Sequence, residues 1–490
     1  MADSNLEIIK GPGANGKKRR LALLLSVLLT VAVFVSCSEA AEIVPEYEAN
    51  LSKDNTDLAG QTIVMGVVND YFFENDSTLS YINNTELGDL AIQRINDVEK
   101  TYNCKLETKY VAVGAATLFD YAVAGTFVFD FLSDESYDIV KFITSGVYVD
   151  LTGLDNIDEF NTTKWGNRYM TMSTMYNGAI YGVLPAQHPM RLSNSTENII
   201  AVNEDYVTMI AANDPRDYFE NGEWNWAAFE DCLESFAHTG VTSNEFIYSF
   251  SGLLGRFSRE LGTSNGAPLF TYNGDGTYSF GYFSQNAIDA YNQAYEWFFG
   301  ALSDNILEEV GNDPILTNFT EGHAVMSLID AYMVLSKSTS IAYKMENFGL
   351  VPVPYGPGAS GPEGYSASYR AADFTLVIPV TAKDPETSAL IIDAIYEPFP
   401  GYETREQIID YLERNYFKDV RDARFFIEMT DDEHAYYHDH HRFSGMFDQF
   451  RNTGITKGIE ANRDKYINAM MQYDVPMYST LVQYEEYFHE

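Results

Sequence analysis

Three histidines stand at a spacing that could hold a metal. His434, His438 and His441 lie four and three residues apart, with Glu433 and Asp439 beside them. On one helix face, imidazoles at i and i+4 can share a zinc or nickel ion. The run is also dense in charge and falls in an acidic tail, where a solvated face is the ordinary reading. A second metal-like segment fails on its own chemistry. Tyr272-Asn273-Gly274-Asp275-Gly276-Thr277-Tyr278 imitates a calcium loop, but the sixth position counted from Asn273 is Tyr278 where glycine is needed, and the twelfth is Ser284 where glutamate is needed. It reads as a hairpin turn. The chain has no Gly-x-Ser-x-Gly elbow, no His-Glu-x-x-His and no phosphate-cradling glycine loop. With 71 acidic residues, some pair meets the carboxylate spacing of a glycoside hydrolase by chance, so the count argues nothing.

The start of the chain fixes where any such chemistry takes place. Lys17-Lys18-Arg19-Arg20 precedes an apolar run from Leu21 to Val35 that ends at Phe34-Val35-Ser36-Cys37. A basic stretch, a short apolar stretch and small residues make a secretory signal, shorter than the roughly 20 residues of a spanning helix. Cys37 directly after Ser36 resembles the bacterial lipobox, with Phe34 departing from the usual leucine. The expectation is a signal peptide over 1–36, lipid on Cys37 and a polar spacer over 37–60 that lifts a folded head off the outer face of the cytoplasmic membrane. Cleavage after Ser38-Glu39-Ala40 is the alternative and would release the protein. Either route places it outside the cell. A net charge of −40 repels phosphate backbones and anionic headgroups, which argues against nucleic acid.

The elements behind that head read as α/β. Thr62 to Val68 is a continuous apolar run typical of a strand buried on both faces. Leu87, Ala91, Ile95, Val98 and Tyr102 repeat at helical spacing. Lys105–Val111 follows as a strand, Leu118–Ala124 as a helix and Tyr137–Ile143 as a third strand, a pattern that predicts a parallel sheet with helices on both faces. Later, Trp226–Ala237 reads as a helix capped by Asn225, Ser284 caps another, Phe374–Pro379 is a buried strand, and Asp384-Pro385 opens a helix. The tail from Gly401 reads mostly as helices, and no repeat is visible.

The order of these motifs resembles the bacterial extracellular solute-binding proteins of ABC importers, family 1, which include sugar receptors. The matching segments are Tyr137-Asp138-Ile139-Val140 with Val149-Asp150-Leu151-Thr152; Asn177 to Pro185; Glu223-Trp224-Asn225-Trp226; Phe319 to Met326; Leu350 to Gly356; and Asp384-Pro385-Glu386. Asn225 replaces the family's usual threonine between the two tryptophans, and His323 stands where a lysine or small residue is frequent. The resemblance implies a two-lobed periplasmic-binding-protein-like fold of type II topology, with a ligand cleft between lobes. Crossing segments are expected near Asn198–Val202 and Phe348–Pro354. Lobe one would comprise 61–197 with 348–398, and lobe two 198–347 with 399–490. Cys104 and Cys232 then fall on different lobes and are read as unpaired thiols.

The resemblance also implies a function: capture of a carbohydrate, an oligosaccharide above all, and its delivery to a membrane permease, by a monomer that needs no cofactor. A sugar demands flat aromatic faces and planar polar groups. Among 35 tyrosines and 31 phenylalanines, position must select. Asn69, Asp70 and Tyr71 follow the first strand, at the end where such sheets bind ligands. Ser145 follows the third strand. Gln187, His188 and Arg191 follow the Tyr181–Pro185 segment. Asp330 and Tyr332 stand where the family often carries a sugar-stacking aromatic, and Tyr365, Tyr369 and Arg370 occupy a glycine-rich loop. Arg370 with Asp70 could form a bidentate clamp. Trp224 and Trp226 are assigned to packing. A secreted carbohydrate-active enzyme, a surface adhesin and a receptor for a non-sugar solute are the competing readings.

Overall fold

Two mixed sheets organise the chain. The computed structural model describes residues 56–489 apart from 69–76, 80, 186–196, 241–244, 270, 310, 336–339, 363–366, 371–373, 430–434 and 439, with 312–313, 367–370, 435–438 and 440–444 described by backbone alone. In chain order the principal strands are β1 (Gln61–Val68), β2 (Cys104–Val111), β3 (Phe131–Glu135), β4 (Gly182–Val183), β5 (Ile199–Asn203), β6 (Phe246–Gly252), β7 (Thr271–Tyr272), β8 (Tyr278–Ser279), β9 (Ile306–Glu308), β10 (Ala324–Ile329), β11 (Phe348–Val351), β12 (Ala367–Arg370), β13 (Phe374–Val377) and β14 (Ala435–His438). The principal helices are α1 (Glu86–Tyr102), α2 (Gly114–Val123), α3 (Trp226–Phe236), α4 (Leu254–Thr263), α5 (Gln285–Phe299), α6 (Pro385–Ile395), α7 (Val420–Glu428), α8 (His440–Thr453), α9 (Ile455–Ala469) and α10 (Val475–Tyr484).

The first sheet runs β2-β1-β3-β13-β4. β1 lies between two parallel neighbours, which is why its residues Ile63, Met65 and Val67 are apolar and buried. α1 makes the crossover between β1 and β2. Thr85 caps it by accepting from the Gly88 amide at 3.1 Å, and Asn103 ends it in the left-handed region at φ 48°. The returning strand β13 runs antiparallel to both β3 and β4 and sits between them, the type II order. The second sheet runs His238–Thr239, β6, β10, β5, β11, with β9 against β6.

β5 and β11 are antiparallel neighbours, pairing Val202 with Gly349. The chain enters the second sheet at β5 and leaves it after β11, so its outward and return passages lie side by side. Alternate residues of β5 feed different cores, as the pleat requires. Ile199 and Ala201 join the core of β1, α1 and α6, while Ile200 and Val202 join that of α3, α4 and α5. The tail contributes to both: α7 and α10 to the first core, α8 and α9 to the second. A π-helical turn, Met470–Asp474, joins α9 to α10.

Buried cations staple this frame. Arg94 on α1 donates to the carbonyls of Ala394, Ile395 and Pro398 at 3.2, 3.4 and 3.0 Å, meeting the orphan acceptors at the end of α6. Arg216 holds Asp214, Glu204 and Asp422, and Asp422 accepts from the Leu350 amide at 2.8 Å, tying α7 to β11. Cys104 and Cys232 are free and buried, one in each core, and burial pushes the Cys104 thiol up to about 11.

Two expectations need correction. The third strand is Phe131–Glu135, not Tyr137–Ile143, which opens instead as a short helix at Ser136–Val140. Ile139, Val140 and Ile143 are buried at the i, i+1, i+4 spacing of a helix, while the polar Ser133 and Asp134 disguise the true strand. Nor do the histidines share a helix face: His438 ends β14 and His441 lies in α8, with His434 outside the described residues. Among the described residues no group of three potential ligands could hold a metal ion.

Candidate functional site

The parallel pair β6 and β10 builds the centre of the site, registered Phe250 to Met326 and Ser251 to Ser327. Both strands end at the same edge. α4 starts two residues beyond Gly252, and Asp330 directly follows Ile329. This brings Arg256, in the first turn of α4, against Asp330: one guanidinium nitrogen, Nη1, lies 3.0 Å from both carboxylate oxygens. A cation in a helix's first turn stands at the unfavourable end of the dipole. Asp330 offsets that and holds the Arg256 charge firmly in place, its pKa raised against the pull of burial. Asp330 is sealed at 2% side-chain exposure, whereas Arg256 keeps 27%. Tyr332, also half-buried, opens the short helix that follows and packs against the first core.

A second layer lies behind. Arg259, one turn further along α4, donates to Glu197 at 2.8 Å and Glu260 at 2.9 Å, and Asn198 donates to Glu260 at 3.2 Å. All four are buried. Burial opposes the Arg259 charge, but Glu197 and Glu260 outweigh it and raise its pKa. Because Glu197 and Asn198 immediately precede β5, this network fixes α4 to the entrance of the second sheet. Asn198 itself adopts φ 56°, a conformation asparagine tolerates better than most residues.

The first sheet's edge differs. Asp134 is buried near the end of β3 and accepts from the Ala115 amide at 2.6 Å and the Glu135 amide at 2.8 Å. Burial pushes its carboxyl up to about 7, with those two donors pulling the other way. A side chain at Gly114 would come within 2.7 Å of Asp134, so only glycine admits this approach. Beside it, the hydroxyls of Ser136 and Thr375 lie 2.6 Å apart.

Of the expected ligand residues, Asp330 and Tyr332 stand at this site. Tyr369 and Arg370 lie on β12, which runs alongside α4 and pairs in parallel with β14, setting Arg370 opposite His438. Ser145 closes an exposed turn on the first sheet's side, its hydroxyl donating to the Phe142 carbonyl. Asn69, Asp70, Tyr71, Gln187, His188, Arg191, Tyr365 and Cys37 lie outside the described residues. Trp224 packs as expected, donating to the Pro352 carbonyl at 2.8 Å, and Trp226 meets Trp297 edge-on. Sequence reasoning missed Arg256, Arg259 and Asp134. Arg256 carried one usable signal, an arginine within the first turn after a strand end, where the dipole disfavours it.

No family model matches the chain, and no curated protein matches it. Solved structures do. A sugar transporter of Rhizobium etli in an open conformation superposes with a TM-score of 0.56 at 14% identity, covering 86% of this chain and 98% of that one. Maltose-bound MalE3 of T. maritima gives 0.53 at 14% identity, with 84% and 100% covered. UspC of M. tuberculosis gives 0.54 at 11%, with 82% and 99% covered. The fold is therefore the two-lobed one of periplasmic solute-binding proteins. The chain spans nearly the whole of each of these proteins, so both lobes are present. Among the described residues no helix is long and apolar enough to cross a membrane.

Proposed function

We propose that this protein is the substrate-binding lipoprotein of an ABC importer, anchored through Cys37 outside the cytoplasmic membrane, and that it captures a neutral saccharide between its lobes. The observation that carries the reading is the Arg256–Asp330 fork at the carboxyl edge of β6 and β10, with Tyr332 two residues on. A sealed carboxylate fixes the guanidinium of a partly exposed arginine, which can then donate to sugar hydroxyls without reorganising, and Tyr332, two residues past Asp330, is the aromatic candidate for C–H contacts. Similar proteins are described as bound to maltose, to maltotetraose and to tagatose, which favours a sugar over other solutes and a receptor over an enzyme. Lobe one, 61–197 with 348–398, and lobe two, 198–347 with 399–490, close on a guest that touches both only when shut. Binding thereby shifts the open–closed population, and the permease reads the closed form.

A thermal-shift screen of the soluble head against neutral mono- and oligosaccharides tests this. A true ligand at a hundredfold excess over Kd adds about 2.7 kcal/mol of stability. If no saccharide raises the midpoint, or if one is hydrolysed, the receptor reading fails.

A further inference from the structure

The groove between the β7–β8 hairpin and α10 is distant in construction from the strand-end site, and we propose that it is a second binding site for a neutral oligosaccharide. Its cavity is about 700 Å³, within the range of small-molecule sites, roughly 300–1,000 Å³. The hairpin supplies Tyr272, Thr277 and Tyr278 to the lining; the helical side supplies Met471, Val475, Ser479 and Val482. None of these carries a charge, in a chain whose net charge is −40. Much of this apolar surface is open to water: Tyr272 is 39%, Met471 50% and Val482 43% exposed.

The chemistry selects the guest. The Tyr272 and Tyr278 rings, 5.4 Å apart and tilted by 46°, form an angled aromatic wall. Such a wall suits the C–H faces of pyranose rings, and the aliphatic side chains opposite suit the other face. The hydroxyls of Thr277 and Ser479, bonded to Asp275 and Tyr278, keep lone pairs that can accept from sugar hydroxyls. The absence of charge in the lining disfavours ionic guests, whose desolvation nothing there would repay.

The groove also lies between elements that feed different hydrophobic cores. The hairpin is flanked by Leu269 and Tyr282 of the second core, whereas α10 places Met477 and Leu481 in the first. α10 is held there by Thr480 accepting from the Gly178 amide and by Tyr484 donating to the Gly178 carbonyl, both at 2.9 Å. Hairpin and helix meet where the Tyr278 and Ser479 hydroxyls lie 2.8 Å apart and the Tyr278 and Tyr478 rings contact edge-on. A guest in the groove adds contact between the hairpin and α10.

The proposal reaches beyond the strand-end reading, and the experiment separates them. Titration calorimetry of the soluble head with maltotriose, cellotriose and N,N′,N″-triacetylchitotriose should reveal, for at least one sugar, a binding event that Tyr272→Ala weakens about tenfold and Tyr272→Phe preserves. Val482→Glu, which sets a charge at the exposed rim, should abolish that event without touching the hairpin. Tyr332→Ala should leave it intact, and it survives even if the strand-end reading is wrong. The proposal is overturned if no trisaccharide shows binding sensitive to Tyr272→Ala and Val482→Glu. It is equally overturned if these variants instead abolish self-association of the sugar-free protein, since the groove would then hold a second copy.

Discussion

Asp134 and Asp330 occupy comparable places, one near the end of β3 in the first sheet and the other just past β10 in the second, and both are buried. Their surroundings part them. Asp330 faces the Arg256 guanidinium and forms an ion pair; among the described residues Asp134 accepts from backbone amides, and it carries a carboxyl pushed up to about 7. One carboxylate fixes a cation that reaches towards solvent, and the other ties the start of α2 to its sheet. What a strand-end aspartate does is decided by the nearest cation, not by its position.

The harshest test of this contrast is Arg259→Met. It would remove the guanidinium that pairs with both buried carboxylates, Glu197 and Glu260, at a cost of about 3–5 kcal/mol in unfolding free energy, measured by urea denaturation. A loss under about 1 kcal/mol would show that the carboxylates behind the second edge do not depend on cations. Next comes the pH dependence of Asp134. Its raised pKa means that the native state holds this proton more tightly than the unfolded chain does. Its contribution is full below the ordinary carboxylate range and is lost as pH climbs to about 7, on the order of 4 kcal/mol in all. Asp134→Asn should flatten that slope; an unchanged slope would assign it to other groups.

Arg256→Ala should cost about 1–3 kcal/mol by taking the guanidinium away from the buried Asp330 carboxylate, and should weaken saccharide binding at least tenfold. Arg256→Lys should restore stability better than affinity, because a point charge satisfies Asp330 without the planar fork. Calorimetry and melting on the same samples separate the two effects. The smallest expected effect is Ser284→Ala. Its hydroxyl caps α5 by accepting from the Ala287 amide at 3.2 Å, worth about 1 kcal/mol. Being neutral, this cap should show no pH dependence across the window in which Asp134 does.

Most of the frame was legible in the sequence because local physics and tertiary demand agreed there. Thr62–Val68, the α1 repeat, the Asn225, Ser284 and Asp384 caps and the Asn273–Gly276 turn all formed as read. The third strand was not legible, since Asp134 is polar for a reason seen only when α2 brings the Ala115 amide to it; nothing in the structure explains the buried Ser133 hydroxyl. The site was half legible. Asp330 and Tyr332 follow a recognisable strand, but Arg256 acquires meaning only when β6 and β10 lie in register, a pairing between residues more than seventy positions apart.

The two sheltered thiols have a practical corollary. With Cys104 and Cys232 inaccessible and reluctant to ionise, a secreted version lacking Cys37 offers maleimide dyes no native target. A single cysteine placed on each lobe would therefore take up a fluorophore pair cleanly, turning the molecule into a reagentless optical reporter of whatever it grips.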